Sequence, residues 1–181
     1  MCARNLFPAI SHPLFSGTAS LAIGTTFGVA KQSFLFAIKA LGTALPQIAI
    51  SPLFPDCTGS GTIFSVASAI QLVMADCQAA STMPVVLTMS LAGPASSTLD
   101  NAVTSLQNAC HISQAVAAGN NAGDACSLSP ARVPTCLTVG ASNPDDSLTF
   151  YTNTGSCVDL YVRPRPASPL LSRRRPAATA A

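Results

Sequence analysis

An α/β fold built on a mostly parallel sheet is the architecture that this 181-residue chain predicts. Three observations carry the expectation. Short apolar runs of strand length alternate with longer segments whose apolar residues recur at three- and four-residue steps, so the chain reads strand, helix, strand, helix, strand. Parallel neighbours need crossovers of a dozen residues or more, which the helical segments supply while covering the sheet faces. Apolar residues make up 49% of the chain and charged residues 9%, the balance of a protein held by burial rather than by ion pairs. The length suits one domain with a real core.

Taken in order, residues 16–31 predict a short helix of small residues and then a turn at glycine. Residues 33–41 form an apolar run of strand length that contains Lys39. Gly59, Ser60 and Gly61 make a loop leading into a helix over 62–76, with Ile63, Val66, Ile70 and Val73 on one face. A strand follows over 84–90. Ser97 is expected to cap a helix over 98–110, with Asp100 at its third position complementing the helix dipole and Leu99, Val103 and Leu106 as its buried stripe. Further strands are expected over 115–120 and 136–142. Parallel sheets bind ligands at the carboxyl ends of their strands, and Ser90–Gly93 and Ala117–Asn120 both lie at such ends. No GxGxxG or GxxxxGK[ST] motif follows a strand, which leaves nucleotide binding without support.

Charge and cysteine usage narrow the classes further. Residues 1–161 carry Arg4, Lys31, Lys39 and Arg132 against seven Asp, whereas the last twenty residues carry five Arg and no acid. The segment 162–181 is expected to be a disordered, basic, Pro/Ala/Arg-rich tail, and 1–15 an irregular N-terminal segment. The tail lacks aromatic residues to stack on bases, so no nucleic-acid partner is expected. No stretch approaches the ~18 apolar residues of a membrane span, and no membrane partner is expected. The seven cysteines show no CxxC pair, which argues against zinc. Their number suits an oxidising compartment, yet no signal peptide is visible, and the start reads as an internal start of a longer gene.

The run Ala117-Ala118-Gly119-Asn120 gives these segments a common meaning. A strand ending in small residues and one Asn can present a side-chain amide to a developing oxyanion, although Gly-Asn-Asn alone is also an ordinary strand-ending turn. With 84–93 upstream, and with Ser129-Pro130-Ala131, 137–142 and 155–161 downstream, the chain resembles the central part of the subtilisin-like serine peptidases (peptidase S8), closest to the proteinase K branch. The resemblance runs over about 16–161. It implies a subtilisin-like three-layer fold, incomplete here, and a serine endopeptidase function acting on extended peptide or protein segments in a family that is usually secreted. By resemblance Asn120 is the oxyanion-hole residue. Ser90, Leu91, Ala92 and Gly93, with Ala92 where the family has Gly, form one substrate edge, and Gly59, Ser60 and Gly61 the facing one. Ala117, Ala118 and Gly119 would wall the pocket. No cofactor is required; Pro134, Cys136 and Asp159 align with a calcium site, for which Asp159 as a plain strand-end cap is the alternative. Cys126 and Cys157 stand where some members have a disulfide.

The catalytic triad is missing from the pattern. Ser16 occupies the position of the family's His, no Asp precedes Asp56, and no Gly-Thr-Ser-Met-Ala nucleophile motif occurs. His12 and His111 do not match the base. The resemblance therefore implies that this chain does not hydrolyse peptides by itself. The alternatives are a pseudopeptidase or peptide-binding protein using the retained cleft, and a small interaction protein acting through its basic tail.

Overall fold

The structure, a computed structural model, describes residues 13–26, 28–41, 47–48, 61–79 and 84–163. The chain divides into two compact units, Met1–Gly59 with Arg165–Ala181, and Ser60–Pro164. In the first, α1 spans Pro13–Ile23 and starts on proline, whose fixed φ and missing N–H suit a first helical position. The apolar run 33–41 contributes only β1, Ile38–Lys39, paired antiparallel with β2, Gln47–Ile48. The expected longer strand is thus corrected to a two-residue ladder, since extended residues count as strand only where a partner takes their backbone groups.

The second unit begins with α2, Ile63–Ala79, at whose start Thr62 Oγ1 accepts from Ser65 N–H at 3.0 Å. Val66 and Ile70 of the expected stripe are buried together with Ala67 and Ala69, while Ile63 and Val73 are half-buried. Four strands follow the same direction in the order β3-β5-β7-β8: Val86–Met89, Ser113–Ala117, Leu137–Ala141 and Leu160–Val162. A two-residue antiparallel ladder joins β4, Gly93–Pro94, to β6, Leu128–Ser129. The strands expected over 115–120 and 136–142 end earlier, at Ala117 and Ala141, and β8 was not anticipated as an element.

The crossover between β3 and β5 is α3, Ser97–Cys110. Its cap is Ser96 rather than Ser97: Ser96 is extended (φ −145°) and its hydroxyl takes the Leu99 N–H, whereas Ser97 is already helical. Asp100 is accordingly the fourth helical residue, not the third. It stays in the first turn, but its carboxylate receives Arg132 Nε at 2.6 Å. Leu99, Val103 and Leu106 are buried as expected, the last two completely. His111 closes the helix in the left-handed conformation (φ 51°), its N–H on Gln107 O.

Alternation along the strands sorts the sheet into two unlike faces. Met89, Gln114, Val116, Thr138 and Gly140 are buried on one face, and there Gln114 Nε2 donates to Val103 O of α3 at 3.0 Å. A methyl group on Gly140 would lie 2.5 Å from the Tyr161 ring, so only glycine admits that ring. Val86, Leu137 and Val162 share the opposite face and are 70%, 46% and 47% exposed. The expected helical cover of both faces is therefore seen on one face of this unit. Among the described residues no helix is long and apolar enough to cross a membrane.

Leu106 of α3 is buried without any exposure. Leu106→Ala should lower the unfolding free energy by about 2–5 kcal/mol, read from urea denaturation of the purified chain. A loss below about 1 kcal/mol would show that α3 does not anchor the core.

Candidate functional site

The carboxyl ends of β3 and β5 lie side by side, with Met89 opposite Val116. Ser90 and Ala92 leave β3 exposed and Leu91 half-buried, after which Gly93 pairs with Ser129. Beyond β5, Ala118 N–H donates to Val139 O at 2.9 Å, and Ala118 is buried with Ala125 and Ala131 under Leu128, Cys157 and Val158. Of the expected wall residues, Ala118 is thus a floor, while Ala117 and Gly119 are half-buried. Gly119 takes φ +103°, which turns the chain out of the sheet and presents Asn120 exposed, with no hydrogen bond on its side chain among the described residues.

Asn153 holds that turn, and the sequence reading missed it. The residue is fully buried. Its Oδ1 accepts from Asn121 N–H at 3.1 Å and Gly123 N–H at 2.9 Å; its Nδ2 donates to Ala118 O at 2.9 Å. Its own N–H donates to Gly119 O at 3.1 Å. Backbone groups on both sides of Asn120 are therefore fixed by one side chain, which leaves the Asn120 amide free to point elsewhere. A methyl group on Gly119 would come 2.5 Å from Asn153 Nδ2 and 2.8 Å from Leu128 Cδ1. The available signal was the segment Thr152-Asn153-Thr154-Gly155, in which a buried polar residue precedes a glycine, but nothing local shows what an Asn there binds.

A second tie runs parallel to the first. Asp124 caps the short helix Ala125–Ser127 through Cys126 N–H and bridges to Thr154. Ala125 N–H donates to Thr154 O, and Thr154 N–H to Gly123 O. The disulfide Cys126–Cys157 (Cα–Cα 5.3 Å) closes the same pair of loops, as the resemblance implied. A further disulfide, Cys77–Cys110, was not anticipated, and Cys136 is a buried free thiol.

The remaining site residues divide. Asp159 begins the approach to β8, its Oδ2 accepting from Thr138 N–H at 2.6 Å and its own N–H donating to Thr138 O at 2.9 Å. That contact brings Asp159 beside the turn containing Pro134 and Cys136. Among the described residues no three His, Cys, Asp or Glu side chains gather into a metal-holding group. Ser16 lies within α1 and Gly61 stands two residues before α2; Gly59, Ser60 and His12 lie outside the described residues. His111 caps α3 on the surface.

Two outcomes follow from this arrangement. Asn153→Ala would orphan Asn121 N–H, Gly123 N–H and Ala118 O, and should cost about 1–3 kcal/mol in urea unfolding while speeding amide exchange at 121 and 123. Unchanged exchange there would refute the clamp. Burial, with the charges of Asp100 and Asp159, pushes the Cys136 thiol from 9.0 up to about 11. Because the folded value is raised, the stability linked to the neutral thiol is complete below pH 9 and declines as pH climbs toward 11. The native chain should therefore resist iodoacetamide at Cys136 at pH 8 and react once unfolded, read by mass spectrometry. Fast native labelling at that residue would contradict this.

No family model matches the chain. Over 138 residues, 76% of the chain, it is 39% identical to an extracellular serine proteinase of Thermus sp. (strain Rt41A) and 40% identical to proteinase T of Parengyodontium album. Those alignments cover 29% and 42% of the two relatives. The solved structure of a cold-adapted subtilisin-like serine proteinase superposes on 78% of the chain and 45% of that protein with a TM-score of 0.65 at 36% identity. The chain thus spans less than half the length of these relatives, and its parallel sheet with flanking helices fits a partial three-layer α/β fold of their kind. By sequence and by fold, the chain is related to the subtilisin-like serine peptidases, the peptidase S8 family.

Proposed function

We propose that the chain carries the oxyanion and substrate-backbone part of a serine endopeptidase, and that these 181 residues alone bind an extended peptide without cleaving it. The single observation that carries this is the free amide of Asn120, held out at the carboxyl end of the sheet by a loop whose neighbouring backbone groups are engaged. In acyl transfer the scissile carbonyl oxygen gains charge. A donor preset toward that oxygen stabilises the transition state more than the ground state, because no reorganisation is needed when the charge appears. In subtilisin, loss of the corresponding Asn costs on the order of a hundred- to a thousandfold in turnover.

The edges around Asn120 support the binding half of the proposal. Among the described strands β3 pairs on one side only, so its outer edge and the exposed Ser90–Ala92 segment offer backbone groups to an added strand. At Ala118 both backbone groups, and at Gly119 the carbonyl, are spent internally, so this side serves as wall and floor rather than as a pairing partner. Cleavage needs a nucleophile with a base beside it. Ser16 in the place of the His, and the lack of the nucleophile motif, leave this chain without that pair.

A calcium ion fits the same reading as a stabiliser. Oxygen donors suit a hard cation, and the Pro134 and Cys136 carbonyls with the Asp159 oxygen not engaged by Thr138 would hold it. Its bound charge would tie the turn before β7 to the start of β8.

Purified 1–181 should show no stoichiometric labelling of a serine by a fluorophosphonate probe. Labelling of one serine that boiling abolishes would overturn the inactive half of the proposal. An extended tetrapeptide should shift the amide resonances of 90–92 and 119–121, and shifts absent from both segments would overturn the binding half. Chelation of calcium should lower the melting temperature; equal melting with calcium and with chelator would remove the ion from the account.

A further inference from the structure

We infer that Cys77 and Cys110 form a redox-set staple that holds the carboxyl half of α2 in place. The two residues lie in the last turns of α2 and α3, 33 positions apart in sequence, with Cα atoms 6.2 Å apart. That separation falls within the range disulfides adopt. The inference is independent of any peptide-binding role.

The need for a staple shows in how unevenly α2 is anchored. Its buried residues, Val66, Ala67, Ala69 and Ile70, all lie in the first half. From Gln71 to Ala79 no residue is buried; Leu72, Val73 and Met74 are half-covered and Gln71, Ala75, Asp76, Gln78 and Ala79 are exposed. The last turn has no basic residue to complement the helix dipole, and Asp76 there carries the unfavourable sign. A helix end with little burial and an opposed charge frays readily. Cys110 is the better-anchored partner: it ends α3, whose three apolar residues are buried and whose carboxyl end is closed by the His111 N–H on Gln107 O. The sulfur bridge therefore ties the weak end of one helix to the fixed end of another.

The chemistry is a two-electron exchange. The Cys77 and Cys110 thiols give up two protons and two electrons, one S–S bond forms between them, and an external disulfide accepts the electrons and splits into two thiols. Reduction by a dithiol runs the same exchange backwards and frees the end of α2.

The test begins with the intact 1–181 chain, oxidised by glutathione disulfide, alkylated and digested without reductant. The expected product is one fragment joining the Cys77 and Cys110 peptides, which separates on reduction. Alkylated thiols at both positions, or either cysteine joined elsewhere, would overturn the staple. Amide exchange over 71–79 should then be at least about tenfold faster after reduction, and in Cys77→Ser, than in the oxidised chain, while β5 and β7 exchange as before. Equal exchange over 71–79 in oxidised and reduced chain would overturn the holding role, and the wild-type comparison decides this even if the variant fails to fold.

Discussion

One buried amide sets the geometry of the candidate site. Asn153 is closed off from solvent, and each of its side-chain bonds ends on the backbone of 118–123, a segment thirty or more residues away in sequence. A buried polar group left unpaired costs about 1–3 kcal/mol, so the two loops are stable together and poor apart. The positive φ of Gly119 has the same cause, since the loop must pass so close to Asn153 that no Cβ fits between them. Gly155 repeats the pattern against Asp124, at φ +108°. Two glycines, each facing a polar side chain of the other loop, make the pair interlock, and Cys126–Cys157 adds a covalent tie.

The sheet beneath this clamp supplies direction rather than chemistry. Parallel strands deliver both 90–92 and 118–120 to the same end, and the register places those ends next to each other. A tie to α3 comes from Gln114 of β5, which reaches the Val103 carbonyl, while Leu99, Val103 and Leu106 of α3 are buried. The arrangement has a cost: Asp100 Oδ1 and Gln114 Oε1 are buried without a protein partner. A chain with so few charges depends on apolar cover, and Val86, Leu137 and Val162 on the other face remain exposed.

Relationship to the peptidase family and the capacity for catalysis are separate matters here. The oxyanion donor is useful only in the transition state and contributes nothing to generating a nucleophile. On the proposed reading, a segment with the donor and the substrate edge would keep binding geometry without the reaction.

Local periodicity was enough to place helices over 62–76 and 98–110, strands close to those found at 86–89, 113–117 and 137–141, and their parallel direction, because apolar spacing and crossover length depend on neighbouring residues alone. Motif order along the chain was enough for the family relationship. Other features rest on contacts distant in sequence. Ser96 rather than Ser97 caps α3 because the helix starts where the chain leaves β4, with Ser96 N–H on Ser129 Oγ, and the spacing of apolar residues does not register that bond. Of the run 33–41 only Ile38–Lys39 is paired among the described residues, with Gln47–Ile48. Asn153, Cys77–Cys110 and the glycine at 140 were illegible for one physical reason. A hydrogen bond, a sulfur pair or a ring over a missing Cβ is defined by what folding brings opposite the residue, and in the sequence those partners stand between twenty-one and thirty-five positions apart.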